Sequence, residues 1–178
     1  MNHNPSAQMF TYDAWATQTL LKRINELPSS VMQQEANTSF PTIARGFSHM
    51  FAVETIWYHV LTGMDMQQAM NQYMALEQEM SGFGVEEFAA AFESLAHKVN
   101  VWLQAEPDLE RSILLVNPYT GSRETRLSEI LLHLVNHGTY HRGNISAMLR
   151  QLGHASTMTD YVLFWYQNPV DEAQVYSK

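Results

Sequence analysis

The chain has 178 residues, eight His and no Cys, with 46% hydrophobic and 16% charged residues, the size and balance of one globular domain spanning 1–178. Without Cys there are no disulfides, thiolate metal sites or Cys nucleophiles, so any metal must sit on His, Asp or Glu. A net charge of −8 with no basic run argues against nucleic acid as a partner; apolar runs too short for a span, behind a start without a leader pattern, lead us to expect a cytoplasmic protein with no membrane contact.

The first periodic segment covers about 6–27, where Met9, Tyr12, Ala16, Leu20, Ile24 and Leu27 recur at helical steps until Pro28 stops it. A second helix is expected from about 41 to 63, with Pro41 in its first turn and Ile43, Phe47, Met50, Trp57 and Leu61 as one stripe. Residues 64–82 are rich in Met, a filler of irregular gaps, and read as a crossover with one short helix. The third long helix, about 85–105, has the cleanest stripe, with Glu86 and Glu87 in its first turn. An apolar run and a turn cluster in 113–125 predict a β-hairpin, followed by a fourth helix over about 126–152 closed by Gly153. Thr159 and Asp160 should cap a short helix over 161–166, and the tail from 168 is polar. Four rods of roughly 30–40 Å give an all-α class, a four-helix bundle with a small hairpin before its last long helix and a short C-terminal helix.

Two histidines on the fourth helix stand out. His137 and His141 are four residues apart, about 40° around the helix, so their rings can approach one point. Leu127, Leu131, Leu134, Ile145, Met148 and Leu152 define the inward stripe, with His141 in its seam and His137 at its edge. Imidazoles placed where aliphatics would stabilise more need hydrogen-bond partners or an ion, since an unpartnered buried polar group costs about 1–3 kcal/mol. A third ligand is offered by His49 on the inward stripe of the second helix. Glu54 lies about 140° around from His49 and should pair elsewhere, whereas His133 is one turn from His137. Arg142 is about 100° from His141 and reads as a surface ion pair in preference to an acid-binding group. His3, His59, His97 and His154 read as structural or surface residues. The Glu-x-x-His pairs of di-iron bundles, the His-Glu-x-x-His motif, a phosphate loop and a Gly-x-Ser-x-Gly elbow are all missing.

The run from Leu132 to Asn144, with His133, Asn136, His137, His141, Arg142 and Gly143, resembles the DinB family signature H-x-x-N-H-x-x-x-H-R-G-Q. Tyr12-Asp13-Ala14-Trp15-Ala16 resembles its Y-N-x-W-A, His49, Glu54 and Trp57 its H-x-x-x-x-E-x-x-W, and Thr159-Asp160 its T-D. Asp13 and Asn144 depart from the usual Asn and Gln. The resemblance implies an up-down-down-up bundle, commonly a homodimer, that holds one divalent ion, nickel or zinc, on His49, His137 and His141. Relatives with assigned activity include thiol-dependent transferases.

These readings lead us to expect a metal-dependent hydrolase or thiol-dependent S-transferase acting on a small molecule, any low-molecular-weight thiol being a bound cofactor because the chain has no Cys. Glu54, Tyr140 and His133 are the candidate acids or bases, and an open cleft lined by Trp15, Met50 or Trp57 would support catalysis. Since the ligands must be neutral, occupancy should fall below roughly pH 6. The alternative is a non-catalytic, metal-stabilised helical stress or binding protein, which a fourth protein ligand closing the shell would favour.

Overall fold

A computed structural model describes residues 4–167; His3 and the polar tail from residue 168 lie outside them. Helix α1 (Pro5–Asn25) starts where the Asn4 side chain accepts from the Ser6 N–H at 2.9 Å, and Lys22 and Arg23 complement its C-terminal dipole. Helix α2 (Ile43–Leu61) begins after Pro41 rather than at it, because the Thr42 hydroxyl accepts from the Arg45 N–H at 3.2 Å. A cap that satisfies an end donor fixes the boundary more firmly than a proline that merely lacks one. A 3₁₀ turn, Ser29–Gln33, has no periodic signal in the sequence.

The crossover holds two short helices instead of one, α3 (Met66–Met70), capped by Asp65, and α4 (Tyr73–Met80). Helix α5 (Val85–Ala105) covers the residues its stripe predicts. Strands β1 (Ser112–Asn117) and β2 (Gly121–Arg126) form an antiparallel hairpin with Leu115 opposite Arg123 and Ile113 opposite Thr125. Asn117 Oδ1 accepts from the N–H groups of Tyr119 and Thr120, and Gly121, at φ +89°, completes the turn. Helix α6 (Leu127–Gln151) follows directly, ending before Gly153 at φ +85°, and α7 (Tyr161–Trp165) comes last. Asp160 sits at the N-cap of α7 but makes no side-chain capping bond. No helix among the described residues is long and apolar enough to cross a membrane.

Helix α1 packs on α5 and α6, while α2 packs on α6, α5 and the two short helices. The apolar core is divided. One cluster takes Ala7 and Phe10 from α1, Ile56 and Val60 from α2, Val99 and Leu103 from α5, and Leu127 to Leu134 from α6. The other takes Leu20 and Ile24, Ile43 and Phe47, Phe88 and Phe92, and Ile145 and Leu149 from the same four helices. Thus α1 and α6 feed the first cluster from their N-terminal halves, and α2 and α5 from their C-terminal halves. The residues of α1, α2 and α6 that fall between the clusters include polar ones: Asp13 and Thr17, His49 and Glu54, and His141 and Arg142. Placing these groups in the interior forgoes apolar burial worth about 1.5–3 kcal/mol per large aliphatic side chain, so their arrangement needs its own account.

Candidate metal centre

Helix α2 supplies His49, and one stretch of α6 supplies His137 and His141. One ring nitrogen from each falls within 4.8 Å of the others, and among the described residues no carboxylate or fourth imidazole joins the group. His49 Nε2 and His137 Nε2 are 3.1 Å apart. Two nitrogens each ~2.1 Å from one ion sit roughly 3–3.5 Å apart, so the His49–His137 pair has the spacing of donors to one divalent cation, and His141 stands close enough to join it. His141 is buried at 8% exposure, and its Nδ1 has no hydrogen-bond partner. Phe40, from the segment preceding α2, lies over the rings, its centroid 5.2 Å from that of His49 and 5.3 Å from that of His141.

Burial favours the neutral form of all three imidazoles. Burial, then the neighbouring rings of His141, His49 and His133, pushes His137 down to about 3. Burial and His49 push His141 down to about 4. Burial also lowers His49, opposed by the Glu77 carboxylate. At His137 and His141 proton competition therefore sets in well below the pH of roughly 6 expected from ordinary imidazoles.

A chain of hydrogen bonds on α2 and α4 orients His49. Its Nδ1 is 2.8 Å from the Tyr73 hydroxyl, Tyr73 donates to Glu77 Oε1 at 3.2 Å, and Glu77 Oε2 pairs with Arg45 at 3.1 Å. Burial and Glu77 push the Tyr73 phenol up to about 12, so it keeps its proton. Because that proton goes to Glu77, the phenol oxygen accepts from His49 Nδ1–H, and the Nε2 lone pair is left facing His137. The tautomer is assigned from this network, in the way that outer partners usually fix ligating histidines. Tyr73 and Glu77 share a face of α4 at i and i+4, but nothing local in the sequence ties that face to His49.

Arg142 overturns the surface expectation. It is 2% exposed and holds Asp13 Oδ1 at 2.6 Å, with further bonds to Thr17 and Thr139. Its partner lies 129 residues away, which angular spacing within one helix cannot reveal. Glu54 belongs to this polar layer and not to the metal group. Burial pushes Glu54 up to about 8, Asp13 adding to the rise and Arg142 opposing it, while burial raises Asp13 to about 6 against the pull of Arg142. Gly138 makes room: a Cβ there would lie 2.5 Å from Asp13 Oδ1 and 2.8 Å from an Arg142 terminal nitrogen.

The remaining candidates separate clearly. His133 stacks edge-on against Trp57, centroids 5.1 Å apart, and its ring is 6.1 Å from that of His137. Tyr140 is 62% exposed. Trp57 and His133 line a cavity of about 260 Å³ between the hairpin and helices α2 and α6. Trp15 does not line it but packs on Phe164 of α7, and Met50 is buried in the second core cluster. Tyr12 also holds α7 in place, its hydroxyl donating to the Thr159 carbonyl at 2.9 Å. His97 is exposed and His59 and His154 are partly buried, none of them in the metal group.

Fold and site together define a class: a mostly helical protein with a small hairpin and a three-histidine group able to hold a metal ion. Sequence comparison agrees, since the DinB family pattern matches residues 1–173, and the chain belongs to the DinB family. It is 36% identical over 166 residues to Protein DinB of Bacillus subtilis, an alignment covering 93% of this chain and 96% of that relative. The crystal structure of a DinB-like protein from Bacillus cereus matches with a TM-score of 0.59 over 85% of this chain and 92% of that one. At 20% identity, that second likeness speaks to the fold.

Proposed function

We propose that this protein is a metal-dependent enzyme, a hydrolase or thiol-dependent S-transferase, acting on a small molecule at His49, His137 and His141 with nickel or zinc. The observation that carries the reading is a donor group of three imidazoles whose pKa values burial lowers, joined by no fourth protein ligand among the described residues, with a cavity one helical turn away. A closed shell of four protein donors would have favoured an ion that only staples helices. Open positions are what a substrate or water requires, and a bound divalent ion supplies Lewis acidity that makes water or a thiol a nucleophile near neutral pH. The contributions of the four long helices to the two core clusters support the up-down-down-up bundle as the frame of this site.

Within this reading the protein residues divide the tasks. Tyr73 and Glu77 hold the His49 ring, and Phe40 packs against the rings of His49 and His141. His133 is the best placed of the three acid–base candidates, because it lines the cavity and burial lowers its pKa, leaving a neutral base. The test is elemental analysis of the purified protein beside a His137→Ala/His141→Ala variant, followed by a turnover screen of esters and electrophiles with and without low-molecular-weight thiols. One equivalent of metal lost in the variant, with metal-dependent turnover, is the expected result. Equal metal content in both proteins would place the ion elsewhere.

A further inference from the structure

Helices α2, α3 and α4 wall a second cavity, of about 300 Å³. Val53, Ile56 and Trp57 share one face of α2, Met66 and Met70 sit one turn apart on α3, and Tyr73 of α4 completes the lining. An unbranched Met side chain normally closes an irregular gap. Here the Met-rich crossover lines an open space instead, beside the residue that orients His49.

The lining decides what can enter. None of its six side chains is charged, and the Tyr73 hydroxyl is engaged already, donating to Glu77 and accepting from His49. An ionised group moved into the cavity would lose its water and find no partner, whereas an aryl or alkyl group gains by leaving water. An apolar cavity of about 150 Å³ holds benzene, so about 300 Å³ suits a bicyclic ring or an alkyl chain of that bulk. A protein partner would need a face of about 800 Å². The surroundings do not offer one: Met74 is the one large hydrophobic side chain exposed on α2 to α4, and Gln67, Gln68 and Asn71 are exposed along α3 and its cap. Tyr73 ties the cavity to the metal group. Its ring is 6.0 Å from that of His49, and Val53 follows His49 by one turn on the same face of α2. Trp57 lines both this cavity and the one beside His133.

We propose that this cavity seats an uncharged aryl or alkyl group of the substrate, with Met66 and Met70 adapting to its shape and Tyr73 setting it beside His49. The link to the ion rests on the metal-centre reading above. Binding of the apolar group does not.

The probe is 2-naphthalenemethanol, with 2-naphthoate as a charged counterpart of the same bulk, titrated into protein carrying carbon-13 methionine methyls and loaded with zinc or cobalt. With zinc, the alcohol should shift the Met66 and Met70 methyls and bind at least about tenfold more tightly than the acid, whose carboxylate is left without a partner. With paramagnetic cobalt, the alcohol's protons should relax faster than with zinc. Val53→Phe fills the space from a partly buried position and should abolish the methyl shifts with metal content unchanged. Met70→Gln keeps the side-chain length and should weaken binding severalfold, and His137→Ala should keep the shifts and lose the cobalt effect. No shift at either methyl, equal binding of alcohol and acid, or unchanged binding in both Val53→Phe and Met70→Gln overturns the proposal. So do methyl shifts that change with protein concentration alone, which would put a second copy over the cavity. Bound alcohol that bound cobalt does not relax separates the cavity from the centre and overturns the subsite. A wild type that takes up no cobalt yet still binds the alcohol removes the metal-centre reading and leaves the apolar site standing.

Discussion

Tyr73 touches no ion in the arrangement derived above; it decides which nitrogen of His49 is available to one. Replacing it by Phe keeps the ring and deletes the oxygen 2.8 Å from Nδ1, so the preference for the Nδ1–H tautomer goes. Outer partners of ligating histidines are worth about 10–100-fold in metal affinity, and Tyr73→Phe should weaken binding by that factor in chelator competition while the melting temperature of the metal-free protein stays close to wild type. Nitrogen-15 shifts of the metal-free imidazoles offer an independent check: wild type should show His49 protonated at Nδ1, the variant a mixture. Glu54 poses a different question, since its burial raises the carboxyl pKa from 4.5 to about 8. Between those values the folded protein keeps a proton that the unfolded chain releases, so this group makes stability fall as pH rises from 4.5 to 8. Glu54→Gln should therefore be more stable than wild type by about 1–3 kcal/mol at pH 9 and nearly equal at pH 4.5, measured by urea denaturation. A variant that tracks wild type at both ends would show Glu54 to be well solvated in the folded state.

Helix α6 carries two glycines five residues apart, and their surroundings give them opposite roles. A methyl group at Gly138 would press on Asp13 and Arg142, whereas one at Gly143 meets nothing within 4 Å. Both positions would gain about 0.5–1 kcal/mol from the better helix propensity of alanine. At Gly143 that gain should appear whole, while at Gly138 overpacking of about 1–3 kcal/mol should reverse its sign. Chemical denaturation of the two single variants checks this, and two equal stabilisations would mean that the Asp13–Arg142 pair yields without cost. The same helix shows what sequence reading can reach. His137 and His141 are legible because their relation is a property of one helix, and the stripe of α5 is legible for the same reason. Arg142 was out of reach because its burial is decided by Asp13 on another helix. Tyr73 and Glu77 were hidden likewise, since the packing of α4 on α2 leaves no trace in a Met-rich crossover. His49 lies between these cases: the inward stripe of α2 marks it, but its meeting with α6 needs the fold.

Across the whole molecule, the shifted imidazoles and carboxyls pull stability in opposite directions with pH. Below 6.5 the unfolded chain takes up protons at His137 and His141 that the folded protein refuses, down to about 3 and about 4, and burial works in the same direction at His49 and His133. Stability is lost as pH falls through that window. Asp13 opposes this loss between about 6 and 3.8, and Glu54 between about 8 and 4.5, because each holds its proton longer in the folded state. The lowered imidazoles oppose the raised carboxyls on the acid side, and Glu54 works against stability as pH rises toward 8. The metal-free protein should thus be most stable near neutral pH. An ion on His49, His137 and His141 changes the acid limb, because it holds the rings neutral and adds its own binding energy to the folded state. At a free metal concentration of about 100 Kd that addition is about 2.7 kcal/mol, or roughly 5–10 °C in melting temperature for a chain of this size. Thermal melts with nickel or zinc, repeated with a chelator, should show the shift at pH 7 and its collapse as the pH approaches 4, where protons compete for the same nitrogens. His137→Ala should abolish the shift at every pH. A metal-induced rise that persists in that variant would mean that the stabilising ion binds away from the three histidines.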